Sequence, residues 1–249
     1  MEINPPRKRA ERLDNFLFNN GFADTFNKAQ ALIMAGLVEV DGRIELKAGF
    51  PVTIGARITV NQKLKYVSRA GIKLEGALKI FNISPSEKIC LDIGASTGGF
   101  TDCLLQHGAK KVYSVDVGHG LLHPKIAKDL RVVNIENTNF RNFSAQTLKD
   151  PVQFCTIDVS FISLKLILPN VAKVVAGQCD ILAMIKPQFE ANAKDLRRGI
   201  VKNEVVRVQA INMIRDFGQL TGFSLLGGVD SSIKGRRGNV EHFLWLRTT

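Results

Sequence analysis

The sequence has few cysteines, little tryptophan or tyrosine, and no long apolar run. Cys90, Cys103, Cys155 and Cys179 stand far apart. None forms a C-x-x-C pair, and the four histidines do not gather near them, which argues against a zinc motif or a disulfide framework. Cys90 and Cys155 lie in apolar runs, where a free thiol behaves as a small hydrophobe. This usage suits a reducing cytoplasm. No stretch approaches the ~18–20 apolar residues of a bilayer span. A basic start with Arg7, Lys8, Arg9 and Arg12 has no apolar segment behind it, so no secretory signal is expected. The 21 glycines and 8 prolines show no period, which excludes a collagen-like or low-complexity chain.

What is present is an ordinary globular composition with a basic excess. In 249 residues, 34 Lys+Arg face 23 Asp+Glu, a net charge of +11. The length fits one large or two unequal domains. A polyanionic partner is one reading of the charge, and plain solubility is the other. Residues 1–60 form a first unit. Leu13, Phe16 and Leu17, then Ala29, Leu32, Ile33 and Leu37, recur at helical spacing, and Gly36 suits the end of the second helix. Strand-like pieces follow at 37–40, 43–46 and 56–60, with the hairpin signal Asp41-Gly42 between the first two. So small an α+β unit serves binding better than catalysis. Residues 61–69 read as a basic linker, and Ser68 as the N-cap of a helix over 70–81.

From residue 88 strands and helices alternate, within a second domain over 70–249. Strands are expected at 89–93, 111–115, 132–135, 154–158 and 181–185, with helices near 99–107, 120–129, 163–176 and 203–219. This order implies a parallel sheet with helices on both faces. Two late strands, 223–227 and 242–247, have no helix between them. They add a hairpin at one edge of a seven-stranded sheet, with the last strand antiparallel.

The run Leu91-Asp92-Ile93-Gly94-Ala95-Ser96-Thr97-Gly98-Gly99-Phe100-Thr101-Asp102 carries the strongest chemical signal. A strand enters a Gly-rich turn and a helix leaves it, so backbone N–H groups can approach a ligand. The spacing is not G-x-G-x-x-G, and no Gly-Lys-Ser/Thr follows, so neither a dinucleotide fingerprint nor a P-loop is present. Asp116 ends the second strand, where a carboxylate can accept from both ribose hydroxyls. Asp92 beside the turn favours a cationic amino-acid head over a pyrophosphate. S-adenosylmethionine has both a ribose and such a head. Asp158 and Lys186 stand at the carboxyl ends of two further strands, where open α/β sheets bind ligands. A charge there costs free energy unless paired.

These motifs together resemble one family. Arg12-Leu13-Asp14, Lys28-Ala29, Gly36-Leu37-Val38, Ser68–Leu74, Asp92–Asp102, Asp158-Val159-Ser160-Phe161, Lys186–Glu190 and Gly238-Asn239-Val240-Glu241 follow the order of the hemolysin-A-like, TlyA-type ribosomal-RNA 2′-O-methyltransferases. The resemblance implies an S4-like RNA-binding domain ahead of an FtsJ/RrmJ-like methyltransferase domain of Rossmann-like fold. It implies S-adenosylmethionine as cofactor, no metal, and ribosomal RNA or ribosomal subunits as partner, with a cytidine ribose as target.

The family's Lys-Asp-Lys-Glu tetrad falls on Lys73, Asp158, Lys186 and Glu241, with Glu190 a rival for the last position. A ribose hydroxyl is a poor nucleophile, and a cation beside it stabilises the developing alkoxide. Lys186, held by Asp158 and Glu241, is expected to orient the hydroxyl, as a base or as a fixed cation. The cofactor is expected on Asp92, Gly94, Ala95, Ser96, Gly98, Gly99, Phe100, Asp116 and Val117. RNA contacts are expected from Arg7, Lys8, Arg9, Arg12, Lys28, Lys65 and Arg69, with Lys63, Arg197, Arg198, Lys234, Arg236 and Arg237 extending the basic surface. With so few aromatics, recognition of folded RNA by shape is expected over base stacking. Thr25-Phe26-Asn27 replaces the family's Ser-Arg before Lys28, and Leu121 its Gln. A membrane-active protein, an RNA-binding protein without catalysis and a pseudouridine synthase are the competing classes. None of them calls for the Gly-rich turn and the four ionisable residues together.

Overall fold

A computed structural model describes residues 11–34, 36–53, 55–60, 65–175, 177–235 and 238–248. The chain divides into two compact units, residues 1–65 and 66–249.

In the first unit β1 (Glu11–Arg12) leads into α1 (Leu13–Asn19), and α2 (Phe26–Met34) follows. Leu13, Leu17, Ala29 and Ile33 sit at helical spacing and are fully buried, forming the core between the two helices. Gly36 takes φ 75° and turns the chain out of α2. Asp41 and Gly42, at φ 51° and 75°, join β2 (Val38–Val40) to β3 (Arg43–Ile44). β4 (Pro51–Val52) pairs with β1, and β5 (Ile58–Val60) pairs with β2. The β1–β4 ladder is two residues long, too short to show periodicity in a sequence.

The second unit starts at Tyr66, so the stretch 66–69 is part of it and not linker. Tyr66 is buried against Gly71, where any Cβ would overlap its ring. The Val67 N–H donates to Asp102 at 2.8 Å. The elements then run α3 (Arg69–Phe81), β6 (Ile89–Ile93), α4 (Gly99–Gln106), β7 (Lys111–Val115), α5 (Pro124–Ala127), β8 (Val132–Ile135), β9 (Phe154–Ile157), α6 (Leu168–Val174), β10 (Asp180–Ile185), α7 (Pro187–Glu190), β11 (Leu196–Arg197), β12 (Ile200–Val201), α8 (Glu204–Leu220), β13 (Phe223–Asp230) and β14 (His242–Thr248). Seven strands form one Rossmann-like sheet in the order β13-β14-β10-β9-β6-β7-β8. β10, β9, β6, β7 and β8 are parallel, and β14 runs antiparallel to both neighbours.

Alternation along the strands builds two cores. Leu91, Ile93, Ile181, Ala183 and Ile185 pack with Leu168, Val171 and Ile214 on one face. Cys90, Leu182 and Met184 pack with Leu74, Leu78, Phe100 and Leu104 on the other. The buried thiols behave as core, and burial pushes Cys90 up to about 12. Two helices are shorter than periodicity predicts. α5 begins only at Pro124, after Gly118 and a Gly120 at φ 63°. The segment near 163–176 opens as a 3₁₀ turn, Leu164–Leu166, before Pro169 restarts it as α6. The chain leaves β6 toward β7 on one side, while β9 lies on the other. The Gly-rich turn therefore stands at a topological switch point, where open sheets hold ligands.

Candidate active site

The turn after β6 touches the end of β9. Gly94 takes φ 84°, and a Cβ there would lie 2.7 Å from the Asp158 carbonyl oxygen. The Asp158 N–H donates to the Ile93 carbonyl at 2.9 Å. At Gly99 a Cβ would overlap Ser68 Oγ, so α4 and the start of α3 also meet through a glycine. Only a side chain reduced to hydrogen permits both approaches, and together they bring Asp158 and the helix of Lys73 to the turn.

The exposed Ser96 donates its N–H to Asp116 Oδ2 at 2.8 Å, and Gly118 donates to Asp116 Oδ1 at 2.8 Å. Each oxygen retains accepting capacity. A half-buried carboxylate at the end of β7, beside an open backbone turn, fits the ribose end of S-adenosylmethionine. Val117 is exposed beside it.

Three residues expected at the cofactor have buried side chains. Asp92 is fully buried and accepts from Thr101 Oγ1 at 2.7 Å and Thr156 Oγ1 at 2.9 Å. Burial pushes its carboxyl up to about 7, against the lowering effect of those hydroxyls. It braces β6 against α4 and β9. Phe100 is core, its ring centroid 6.0 Å from that of Phe243. Ala95 is buried, its N–H given to Val115.

The four expected catalytic residues meet in one cleft of about 620 Å³, lined by Lys73, Asp158, Lys186 and Glu241 and also by Ser96 of the turn. They form two separate ion pairs. Lys186 Nζ lies 2.7 Å from Asp158 Oδ1 and donates to Ser160 Oγ at 2.7 Å. Lys73 Nζ lies 2.5 Å from Glu241 Oε2. Glu241 therefore pairs with Lys73, and Lys186 is held by Asp158 with Ser160. Glu190 is engaged elsewhere. It accepts from Ser163 Oγ at 2.5 Å and Leu164 N at 2.8 Å, and burial raises its carboxyl above the ordinary range.

Sequence reasoning missed Ser160, Asn239 and the hairpin β11–β12, whose Leu196 and Gly199 line the cleft. Ser160 and Asn239 stand inside the two motifs that carry Asp158 and Glu241, and that was their only signal.

The basic residues are spread differently from expectation. Arg7, Lys8, Arg9, Lys63, Arg236 and Arg237 lie outside the described residues. Arg12 forms an ion pair of 2.6 Å with the buried Asp14, which holds that carboxyl below its usual range. It is a structural brace as much as a surface cation. Lys28 pairs with Asp24 at 2.6 Å on the exposed side of α2. Lys65 is exposed at the end of the first unit. In the second unit Arg69 donates to the Lys234 carbonyl at 3.2 Å, and Arg197, Arg198 and Lys234 are exposed.

Known proteins resemble this chain. Residues 66–248 match the FtsJ-like methyltransferase family, and residues 11–58 match the S4 domain. A Bacillus subtilis protein with the provisional name rRNA methyltransferase YqxC is 44% identical over 241 residues, 96% of this chain and 86% of its own. TlyA of Mycobacterium tuberculosis (strain H37Rv), named a 16S/23S rRNA (cytidine-2′-O)-methyltransferase, is 37% identical over 96% of this chain and 91% of its own. A solved structure from Streptococcus thermophilus under a provisional hemolysin name superposes with a TM-score of 0.76 at 40% identity, over 98% of this chain and 90% of that one. The chain belongs to the FtsJ-like methyltransferases and joins an S4 domain to its methyltransferase domain.

Proposed function

We propose that this enzyme transfers a methyl group from S-adenosylmethionine to a ribose 2′-hydroxyl of ribosomal RNA, with a cytidine as the target. The observation that carries the reading is one cleft lined by both lysine–carboxylate pairs and by Ser96 of the Gly-rich turn. The name of the Mycobacterium tuberculosis relative supports the cytidine.

Ser96 and Asp116 would hold the cofactor, with Gly94 and Gly98 giving the turn its shape. The bound cofactor supplies a methyl group on a cationic sulfur. Lys186, neutralised by Asp158 and steadied by Ser160, orients the ribose hydroxyl. The ribose oxygen bonds to the methyl carbon as the carbon–sulfur bond breaks and its electron pair passes to sulfur. The hydroxyl proton passes to Lys186 as Lys186 gives one to Asp158. Lys186 thus remains a cation beside the developing negative charge while Asp158 is neutralised. Lys73, fixed by Glu241, adds a second cation to the cleft. Positioning of the hydroxyl against the methyl group supplies most of the rate.

The test is incorporation of labelled methyl from S-adenosylmethionine into ribosomal subunits lacking the modification, followed by nuclease mapping. Label in a 2′-O-methylcytidine is expected. Lys186→Ala is expected to abolish it while cofactor affinity stays within a few-fold. Label on a base, or full activity of Lys186→Ala, would overturn the reading.

A further inference from the structure

The hairpin β11–β12 pairs only Leu196 with Val201 and Arg197 with Ile200. Its turn is Arg198 and Gly199, at φ 54° and 78°. A ladder this short does not stand alone. Asn239, 3% exposed, completes it. Asn239 Oδ1 accepts from the Val201 N–H at 3.0 Å, and Nδ2 donates to the Gly199 carbonyl at 3.0 Å. These two groups flank Ile200. The N–H and C=O of one residue in a neighbouring parallel strand would bind the same pair, so the carboxamide stands in for a third strand. The partners also fix the amide's orientation, because Val201 N can only donate and Gly199 O can only accept.

The same residue reaches the catalytic pair. The Asn239 main-chain carbonyl accepts from Gly235 N at 2.9 Å. Gly235 packs on Glu241 so closely that a Cβ there would lie 2.5 Å from Oε1. Leu196, Gly199, Gly235, Asn239 and Glu241 all line the one cleft. Arg197 and Arg198 are exposed on the hairpin, with Arg198 at its tip.

Resting on the proposed RNA substrate, we infer that the tip of β11–β12 grips a phosphate of the strand that carries the reacting ribose, and that Asn239 is the positioning residue joining this grip to the Glu241–Lys73 pair. A phosphate at the tip would be held at a fixed distance from the cleft, because one buried residue sets the tip with its side chain and the turn packed on Glu241 with its main-chain carbonyl. Binding at the hairpin and placement of the ribose would then be one event.

A double-mutant cycle on the full chain tests this, read in affinity for ribosomal subunits lacking the modification and in turnover. Arg198→Ala is expected to weaken binding several-fold at low salt and to reduce the salt slope by about one. Asn239→Ala is expected to weaken binding by a similar factor and to lower kcat by about 10²-fold, as a misplaced substrate does. Its cofactor affinity is expected to stay within twofold. Adding Arg198→Ala to Asn239→Ala is expected to weaken binding no further, since the tip is already loose. Asn239→Asp keeps the bond from Val201 but sets a carboxylate oxygen against the Gly199 carbonyl, so it should be at least as impaired as Asn239→Ala. Additive losses in affinity, or an unchanged kcat in Asn239→Ala, would overturn the inference. Loss of cofactor binding in both Asn239 variants would mark a purely structural role and overturn it too. If the wild type methylates no RNA, the proposed function fails, and the binding cycle still decides the hairpin's role.

Discussion

Replacing Glu241 by Gln isolates the pair that ties the first helix of the methyltransferase domain to its last strand. The Lys73 side chain is 11% exposed and that of Glu241 6%, and they meet at 2.5 Å across 168 residues of sequence. At an effective dielectric of ~20 their gross attraction is about 7 kcal/mol. Desolvation of both ions offsets most of it, so the intact pair is near neutral for stability. The variant does not share that balance, because it leaves the ammonium buried without its anion. A loss of ~3–5 kcal/mol is expected. At ~2–4 °C per kcal/mol for a domain of this size, the melting temperature should fall by roughly 6–20 °C.

Lys73→Met alone should cost a similar amount. The double variant Lys73→Met, Glu241→Gln should recover most of the stability, since neither charge then remains to be solvated. Fluorescence of Trp245, the one tryptophan, reports from β14 itself in urea titrations. Methyl transfer separates the two roles of the pair. Lys73→Met and the stable double variant should be inactive, because the cation is needed in the cleft, and Glu241→Gln, which keeps that cation but no longer fixes it, should be impaired. A single-variant loss below ~1 kcal/mol, or a double variant as unstable as the two singles summed, would refute the reasoning.

Two further outcomes follow from the geometry. The Asp92 carboxyl titrates near 7 in the folded chain because of burial and near ~4 when unfolded. The folded state therefore holds the extra proton between those values, and stability declines as pH rises from about 4 to 7. Asp92→Asn removes that decline, so the variant's stability advantage from urea titration should be larger at pH 8 than at pH 5, by at most about 3 kcal/mol for the two units between 5 and 7. An equal advantage at both pH values would refute the assignment. Deleting residues 1–65 should weaken binding to ribosomal RNA and leave S-adenosylmethionine affinity within twofold, measured by titration calorimetry. Equal RNA affinity in both proteins would remove the S4 domain's role.

The sheet was legible because its signals are local. Strands such as Ile89–Ile93 and Lys111–Val115 are apolar runs that end at an aspartate or a glycine, and their observed bounds equal the expected ones. What was not legible depends on contacts beyond the local pattern. Asp92 and Phe100 belong to the Gly-rich motif, yet the pleat and the helix turn them inward, onto Thr156 and Phe243. A motif carries residues that shape a site alongside residues that touch its ligand, and spacing does not separate the two. Asn239 was missed for the complementary reason. Its partners, Gly199 and Val201, lie about 40 residues upstream, and an asparagine in a turn reads as turn chemistry.

Glu241 shows how topology decides what periodicity cannot. Asp158 and Lys186 follow the carboxyl ends of β9 and β10, so their shared edge is implied by a parallel sheet. Glu241 precedes its strand. Had β14 run parallel to β10, the residue before it would stand at the opposite edge of the sheet, far from both. The strand runs antiparallel, with Ile185 opposite His242. One step further along that register sets Lys186 across from Glu241. The reversal of a single strand therefore brings an amino-terminal flank to the carboxyl edge, and the last acid of the cleft reaches the catalytic edge by that route alone.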